Sequence, residues 1–369
     1  MLNSRFFAPD ETFTLSAVAA SDKTIRRLLL VTDAWYPQVN GVVTTLSHLI
    51  EELRLQGMAV EVINPENYKT FPLPTYPEIR LVTRAPDLEA RIRAFQPDAI
   101  HIATEGTLGW KVRALALKNN WPFTTAYHTK YPQYIRQRLP FISEKWIYKL
   151  LYRFHQPAQT TFVPALSIRE ELEEQGFSPV EIMSRGVDRQ IFRLYEVDEL
   201  EADFPFDGNW SRPFLLYVGR VAPEKNIQAF LDLDIPGTKI VVGDGPLLSE
   251  LQTTYPQVKF LGKKKGAELA KCYAAADVFV FPSLTDTFGV VNIEAMACGT
   301  PVAAFNVTGP KDSVRNGVNG FLDDDLHYAI EQALRLKDTH RIAQSVDNFN
   351  WRSASEQFTA HLAKITDVF

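Results

Sequence analysis

The feature that most constrains this chain is an alternation between short, wholly apolar blocks and longer segments of helical spacing. In the first half the blocks are "LLLVTD" (Leu28–Asp33), "AVEVINP" (Ala59–Pro65), "AIHIAT" (Ala99–Thr104), "FTTAYHT" (Phe123–Thr129) and "TTFVPA" (Thr160–Ala165). Between the first two, "VVTTLSHLIEELRLQG" sets Val43, Leu46, Leu49, Ile50 and Leu53 on one helical face and ends on Gly57. The second half repeats the rhythm with "FLLYVGR", "TKIVVGDG", "VKFLG", "DVFVFPS" and "PVAAFN". Strands apolar on both faces, separated by helices, predict parallel sheets covered on both sides. At 369 residues the chain exceeds what one hydrophobic core serves well, so two doubly wound α/β domains are expected. The acidic, turn-rich stretch Tyr195–Pro213 reads as the linker between them. Ligands of such sheets bind outside the carboxyl ends of the strands, so the cleft between the domains is the expected site.

Composition narrows the function classes. A net charge of −5 gives no reason to expect a nucleic-acid partner. The cysteines, Cys272 and Cys298, have neither disulfide-framework nor metal-ligand spacing, which points to a reducing compartment. No apolar run reaches the roughly 18 residues a membrane-spanning helix needs. Asp10 and Glu11 interrupt the first 24 residues, which argues against a signal peptide and makes the cytoplasm the expected location.

The chemistry-bearing residues cluster at the predicted strand ends. "TDAWYPQVNGVV" places Gly41 at the start of a helix, where a phosphate could approach the backbone or where a tight turn could need a glycine. The stretch lacks the G-x-G-x-x-G fingerprint, which counts against a dinucleotide enzyme. "YVGRVAPEKN" sets Gly219, Arg220 and Lys225 just past a strand, where two cations could neutralise a diphosphate; a solvated loop is the plainer reading. In "VVGDGP", Gly243 and Gly245 allow a turn that a nucleotide could cross or that serves structure alone. "TDTFGVVNIEAMACG" sets Asp286 and Glu294 eight positions apart; by spacing alone this is a capped helix with one exposed acid.

"GRVAPEKN", "VVGDGP", "AAADVFVFPS" and the acid-x7-acid motif Asp286–Glu294, in this order, resemble the retaining glycosyltransferases of family 4. The resemblance runs from about Arg27 to the tail and implies the GT-B architecture, two facing Rossmann-like doubly wound domains with an interdomain cleft. It divides the chain into an extension (1–24), an acceptor-side domain (25–200), a nucleotide-sugar domain (201–345) and a final helix returning to the first domain (346–369), anchored by Trp351 and Phe358. The family usually begins its motif with Glu; Asp286 is one methylene shorter, as in the subgroup carrying "TDTFG".

By this resemblance Gly41 faces the donor diphosphate from the first domain, and Arg220 and Lys225 bind it from the second. Asp286, with the amides around Phe288 and Gly289, grips the donor sugar; Glu294 holds the ribose hydroxyls; His128 stands beside the sugar. Gly219, Gly243 and Gly262 complete the donor side, with base contacts from the backbone of Phe260–Gly266. The implied catalytic set is His128, Arg220, Lys225 and Asp286, with no metal and no cofactor beyond the nucleotide sugar, a UDP-sugar ahead of GDP-mannose.

The acceptor side is expected in Tyr131–Gln159, where Arg136, Arg138, Lys145, Lys149 and Arg153 interleave with Trp146, Tyr148, Tyr152 and Phe154. Such a stretch fits an anionic membrane surface, or an ordinary helix with a solvated basic face. Lys130 is a further candidate for a phosphate or the acceptor. The subgroup resembles bacterial glycolipid synthases and lipid-directed mannosyltransferases, which makes diacylglycerol the leading acceptor and phosphatidylinositol or a glycan the alternative. A nucleotide-sugar 2-epimerase and a non-catalytic nucleotide-sugar sensor are the rival functions. The oligomeric state is open.

Overall fold

The computed structural model describes residues 25–38, 40–73, 76–133, 143–206 and 209–366. The 1–24 extension, Arg136 and Arg138 therefore lie outside the described residues. Two six-stranded parallel sheets dominate. The first uses β1 (Arg27–Val31), β2 (Ala59–Ile63), β5 (Ala99–Ile102), β6 (Thr124–Ala126), β7 (Thr160–Val163) and β8 (Val180–Ile182), ordered β2-β1-β5-β6-β7-β8. An antiparallel hairpin, β3 (Lys69–Leu73) and β4 (Tyr76–Arg84), interrupts the alternation after β2. The second sheet uses β9 (Phe214–Val218), β10 (Thr238–Val242), β11 (Lys259–Phe260), β12 (Val278–Phe281), β13 (Val302–Phe305) and β14 (Gly320–Asp323), ordered β11-β10-β9-β12-β13-β14. In each sheet the strand order reverses beside the first strand, which opens a crevice at the carboxyl ends.

The first-domain helices are α1 (Gly41–Leu55), α2 (Leu88–Phe95), α3 (Thr107–Lys118), α4 (Glu144–His155) and α5 (Leu166–Glu174). They are followed by α6 (Val197–Glu201), α7 (Gln228–Leu231), α8 (Leu248–Thr254), α9 (Gly266–Ala275), α10 (Val290–Ala297), α11 (Leu326–Ala333), α12 (Thr339–Gln344) and α13 (Trp351–Ala360). Helix α1 starts where the Asn40 side chain accepts from the amides of Val42 and Val43, both at 3.0 Å, and buries Val43, Leu46, Leu49, Ile50 and Leu53. The α3 N-terminus is capped from afar: the Asp33 carboxylate after β1 accepts from the Leu108 and Gly109 amides at 2.8 and 3.0 Å. That bond fixes α3 against the end of β1.

The stretch expected as a linker is packed. The crossing to the second domain lies upstream, where Val187 donates to Phe349 O at 3.1 Å and Gly186 lies against Trp351. By Phe192, whose ring meets Tyr273 at 6.1 Å, the chain is already on the second domain. Phe206 and Trp210 then stack at 6.0 Å beside Phe214, so the aromatic content of Tyr195–Pro213 holds it down despite its acidity. Helix α13 lies on α1: Gln56 Nε2 donates to Ser355 Oγ at 2.7 Å, Trp351 stacks on His48 at 5.0 Å, and Phe358 is fully buried between Phe162 and His101. Among the described residues no helix is long and apolar enough to cross a membrane.

Candidate active site between the two sheets

The β9 and β12 strands are neighbours at the crevice of the second sheet, and their exit loops carry the site. After β9 the chain turns through Gly219 and Arg220 into a single 3-10 turn, Pro223–Lys225. Asn226 follows with φ 52°, and its side chain donates to Pro282 O at 3.0 Å, binding this turn to the exit of β12. Lys225 Nζ consequently meets Asp286 Oδ1 at 2.5 Å. The other carboxylate oxygen, Oδ2, is buried without a hydrogen-bond partner. Asp286 is thus no helix cap. The residue preceding α10 is Gly289 at φ 81°, with no side-chain cap.

Two glycines in these loops are there for close approach. A Cβ on Gly243 would stand 1.8 Å from Gly219 O, and one on Gly219 would stand 2.9 Å from Tyr217 Oη. The ends of β9 and β10 therefore meet more closely than side chains permit. Gly262 accepts from the Gly243 amide at 2.9 Å and extends the same rim. Gly41 differs: a Cβ there would meet nothing within 4 Å, so no steric demand of the turn explains it.

Glu294, read from spacing as an exposed acid, is partly buried and accepts from Tyr273 Oη at 3.1 Å. Loss of water around its carboxyl pushes its pKa up to about 7, with the Tyr273 bond pulling the other way.

From the first domain His128 follows β6 and faces the Asp286 loop: Thr287 Oγ1 donates to His128 O at 3.0 Å across the cleft. Its Nδ1 lies 3.1 Å from Arg185 Nη2, and its Nε2 is buried with no hydrogen-bond partner. Burial, then the nearby Arg185 charge, hold its pKa well below the usual histidine value, so the ring is neutral. His128, Asp286 and Lys225 therefore come together, with Glu294 further along α10. Two polar atoms, the His128 ring nitrogen and the Asp286 carboxylate oxygen, are buried without hydrogen-bond partners in two loops that meet through the Thr287–His128 bond. Such a pair can hold a polyhydroxylated ligand, while the adjacent Lys225 and Arg220 can take its anionic end.

The acceptor-side residues divide. Lys130 is buried and paired with Glu171 at 2.8 Å, where Tyr148 Oη also donates at 2.9 Å. It ties the loop after β6 to α4 and α5, away from the expected phosphate role, because Glu171 on α5 captures it. Lys145, Lys149 and Arg153 lie on the exposed face of α4 with Trp146, Leu150 and Tyr152, exposed by 71%, 56% and 41%. Tyr273 and Arg185, which support Glu294 and His128, carry no motif that distinguishes them. Thr287 lies inside the acid-x7-acid motif, but the sequence reading gave it no role.

Comparison with known proteins identifies the family of the chain. The family described as "Glycosyltransferase Family 4" matches residues 39–191, and "Glycosyl transferases group 1" matches residues 212–336. The chain is 29% identical to the sulfoquinovosyl transferase SQD2 of Arabidopsis thaliana, over 92% of this chain and 74% of that protein. It is 30% identical to a GDP-mannose-dependent alpha-mannosyltransferase of Mycolicibacterium smegmatis, over 86% of this chain and 89% of that protein. It is 29% identical to an alpha-monoglucosyldiacylglycerol synthase of Streptococcus pneumoniae, over 84% and 78%. The sucrose-phosphate synthase of Thermosynechococcus elongatus shares the fold with a TM-score of 0.75 at 22% identity, covering 91% of this chain and 98% of that one. With both sheets, the paired site loops and these relatives in agreement, the chain belongs to glycosyltransferase family 4 and has the GT-B fold of a hexosyltransferase acting on nucleotide sugars.

Proposed function

We propose that the chain moves a hexosyl group from a UDP-sugar to diacylglycerol, with retention at the anomeric carbon and without a metal ion, at the inner face of the cytoplasmic membrane. The observation that carries the donor half is the Lys225–Asp286 pair, whose second carboxylate oxygen, like His128 Nε2, is buried without a hydrogen-bond partner. In this reading Asp286 Oδ2 and His128 Nε2–H grip sugar hydroxyls, Glu294 takes the ribose, and Lys225 with Arg220 neutralises the diphosphate. The acceptor oxygen bonds to the anomeric carbon on the face from which the diphosphate leaves, and the departing phosphate oxygen takes the acceptor's proton. The protein's work is then orientation and stabilisation of leaving-group charge.

The acceptor half rests on α4, whose exposed Trp146, Leu150 and Tyr152 stand among Lys145, Lys149 and Arg153. This combination suits an anionic bilayer, with apolar groups entering the interface and basic groups meeting headgroups. A relative named for monoglucosyldiacylglycerol synthesis agrees with that acceptor. The second reading, transfer of mannose from GDP-mannose to phosphatidylinositol or a cell-envelope glycan, is favoured by the 30%-identical relative named for GDP-mannose.

Thermal melting with saturating UDP and, separately, GDP distinguishes the two. Ligand at about 100 times its dissociation constant stabilises the native state by roughly 2.7 kcal/mol. A UDP-selective rise in Tm is expected. A GDP-selective rise would replace the first reading with the second, and no shift with either would overturn the donor site.

A further inference from the structure

Arg185 follows β8, two strands away from the β6 exit that carries His128, and is only 4% exposed. Its guanidinium reaches back across that distance. Nη1 donates to the carbonyls of Met183 and Ser184 at 2.7 and 3.2 Å, which locks the group in place, and Nη2 lies 3.1 Å from His128 Nδ1. Among the described residues no carboxylate is in ion-pair contact with it, and its hydrogen bonds there go to backbone carbonyls and one imidazole. Burying a guanidinium without a counter-ion is costly and calls for a reason.

A guanidinium only donates hydrogen bonds. The atom it meets on His128 must therefore be an acceptor, which leaves Nδ1 without a proton and puts the ring's single proton on Nε2. That nitrogen is the buried one with no partner, in the residue whose carbonyl accepts from Thr287 of the Asp286 loop. We infer that Arg185 is a positioning residue: it fixes His128 as the Nε2–H tautomer and bars the imidazolium, so that the ring always offers one neutral donor to the substrate. The role assigned to that donor, a sugar hydroxyl, rests on the reading proposed above; the tautomer lock does not.

The remaining groups act in the same direction or not at all on Nδ1. His101 on β5 and His155 on α4 are the other titratable side chains that influence His128, and each acts to lower its pKa. His101 Nδ1 is held by Thr124 Oγ1 at 2.9 Å, and His155 lies between Thr125 Oγ1 and Glu105 at 2.8 and 3.1 Å. From the second domain the facing group is Thr287, which bonds the His128 carbonyl and leaves the ring alone. Burial alone would disfavour a charged ring but would not select which nitrogen carries the proton. Arg185 supplies that selection.

The test is a long-range 1H–15N correlation on the full chain labelled at histidine nitrogen, with the His128 signals identified by their loss in His128→Asn. In the wild-type protein, without substrate, His128 is expected to show a protonated Nε2 and an acceptor Nδ1, unchanged from about pH 8 to about pH 5, across the range where free histidine titrates. Arg185→Gln keeps a donor without the charge, so the tautomer persists at pH 8 while the ring begins to titrate. Arg185→Met removes both, and His128 then exchanges between tautomers and titrates, with transfer activity at about pH 6 falling at least about tenfold below wild type. A proton on Nδ1, or ordinary titration of His128 in the wild-type protein, overturns the inference, whether or not the variants fold. An Arg185→Met spectrum identical to wild type overturns it as well. Because the spectra need no substrate, a locked tautomer in a protein that transfers no sugar defeats the functional reading alone. A freely titrating His128 in a protein that does transfer defeats this inference alone.

Discussion

Lys225 and Asp286 lie 2.5 Å apart in a part-buried pair, 27% and 22% accessible at their side chains, so truncating Lys225 spares the apolar core but leaves the Asp286 carboxylate without that partner. Lys225→Ala is expected to stay folded with Tm lowered by only a few °C, from the carboxylate left without its partner, and to lower kcat/KM by about 10²–10³-fold, the size of losing one electrostatic contact of about 3–4 kcal/mol to a developing anion. Near-normal turnover in a steady-state assay would remove Lys225 from the site. Glu294 gives a prediction with a sign. Its folded pKa of about 7 exceeds the usual glutamate value of 4.5, so the folded state holds a proton that the unfolded state has released between these values. The unfavourable contribution of the carboxylate is absent below about pH 4.5, grows across the interval and is complete above about pH 7. Glu294→Gln should therefore melt above wild type at pH 8, with the gap closing near pH 4.5, while UDP stabilises it less than wild type. Equal Tm values for the two proteins at pH 8 would contradict the buried-carboxylate account. Spacing alone read the two acids as a helix cap and an exposed side chain; the resemblance to a family motif singled them out, but not their surroundings. Whether Glu294 is exposed depends on Tyr273, which reaches it from α9, and Arg185 meets His128 only because β8 lies beside β7 and folds back.

At the scale of elements, the wholly apolar strands were the easiest to read, because a buried parallel strand must be apolar on both faces. β9 is buried at all five positions, and β12 at all four. The edge strands β8 ("VEI") and β14 ("GFLD") gave no such run, since an edge position needs less cover and tolerates a charge. The hairpin of β3 and β4 hides behind prolines at 72, 74 and 77, which argue locally against a ladder. Helix α4 was legible as amphipathic, yet its exposed side is itself mixed, with Lys149 Nζ lying 5.6 Å from the Trp146 ring centre. Removing two apolar groups from that side gives a clean test. Burial of each large apolar side chain contributes about 1.5–3 kcal/mol, so Trp146→Ala combined with Leu150→Ala should weaken binding to anionic vesicles by about 100-fold or more. Because both side chains are exposed, Tm should be unchanged. Cosedimentation with vesicles reads the first effect, and undiminished partition of the double variant would discard α4 as a membrane contact.

The whole molecule is held as one cleft by contacts that no local pattern announces. The Asp312 carboxylate of the second domain accepts from Ser167 N at 3.0 Å and from Ser167 Oγ, capping the first turn of α5 in the first domain. Thr287 bonds the His128 carbonyl, and α13 returns to α1 with Phe358 fully buried. Residues 167 and 312, and residues 128 and 287, meet only when the two sheets are brought face to face, so nothing within a window of sequence could report them. Two doubly wound domains facing across a cleft explain why the proposed donor grip draws His128 from the exit of β6 and Lys225 and Asp286 from the exits of β9 and β12. The central claim, that this cleft transfers a sugar to a lipid with retention, is tested most directly by its product. Full-length protein is incubated with UDP-glucose and vesicles of diacylglycerol and anionic phospholipid, and the lipid fraction is examined by proton NMR. The account predicts a glycosylated diacylglycerol whose anomeric proton has the small coupling of an α-linkage. A β-linked product, or a UDP-sugar consumed only by hydrolysis or epimerisation, would contradict it.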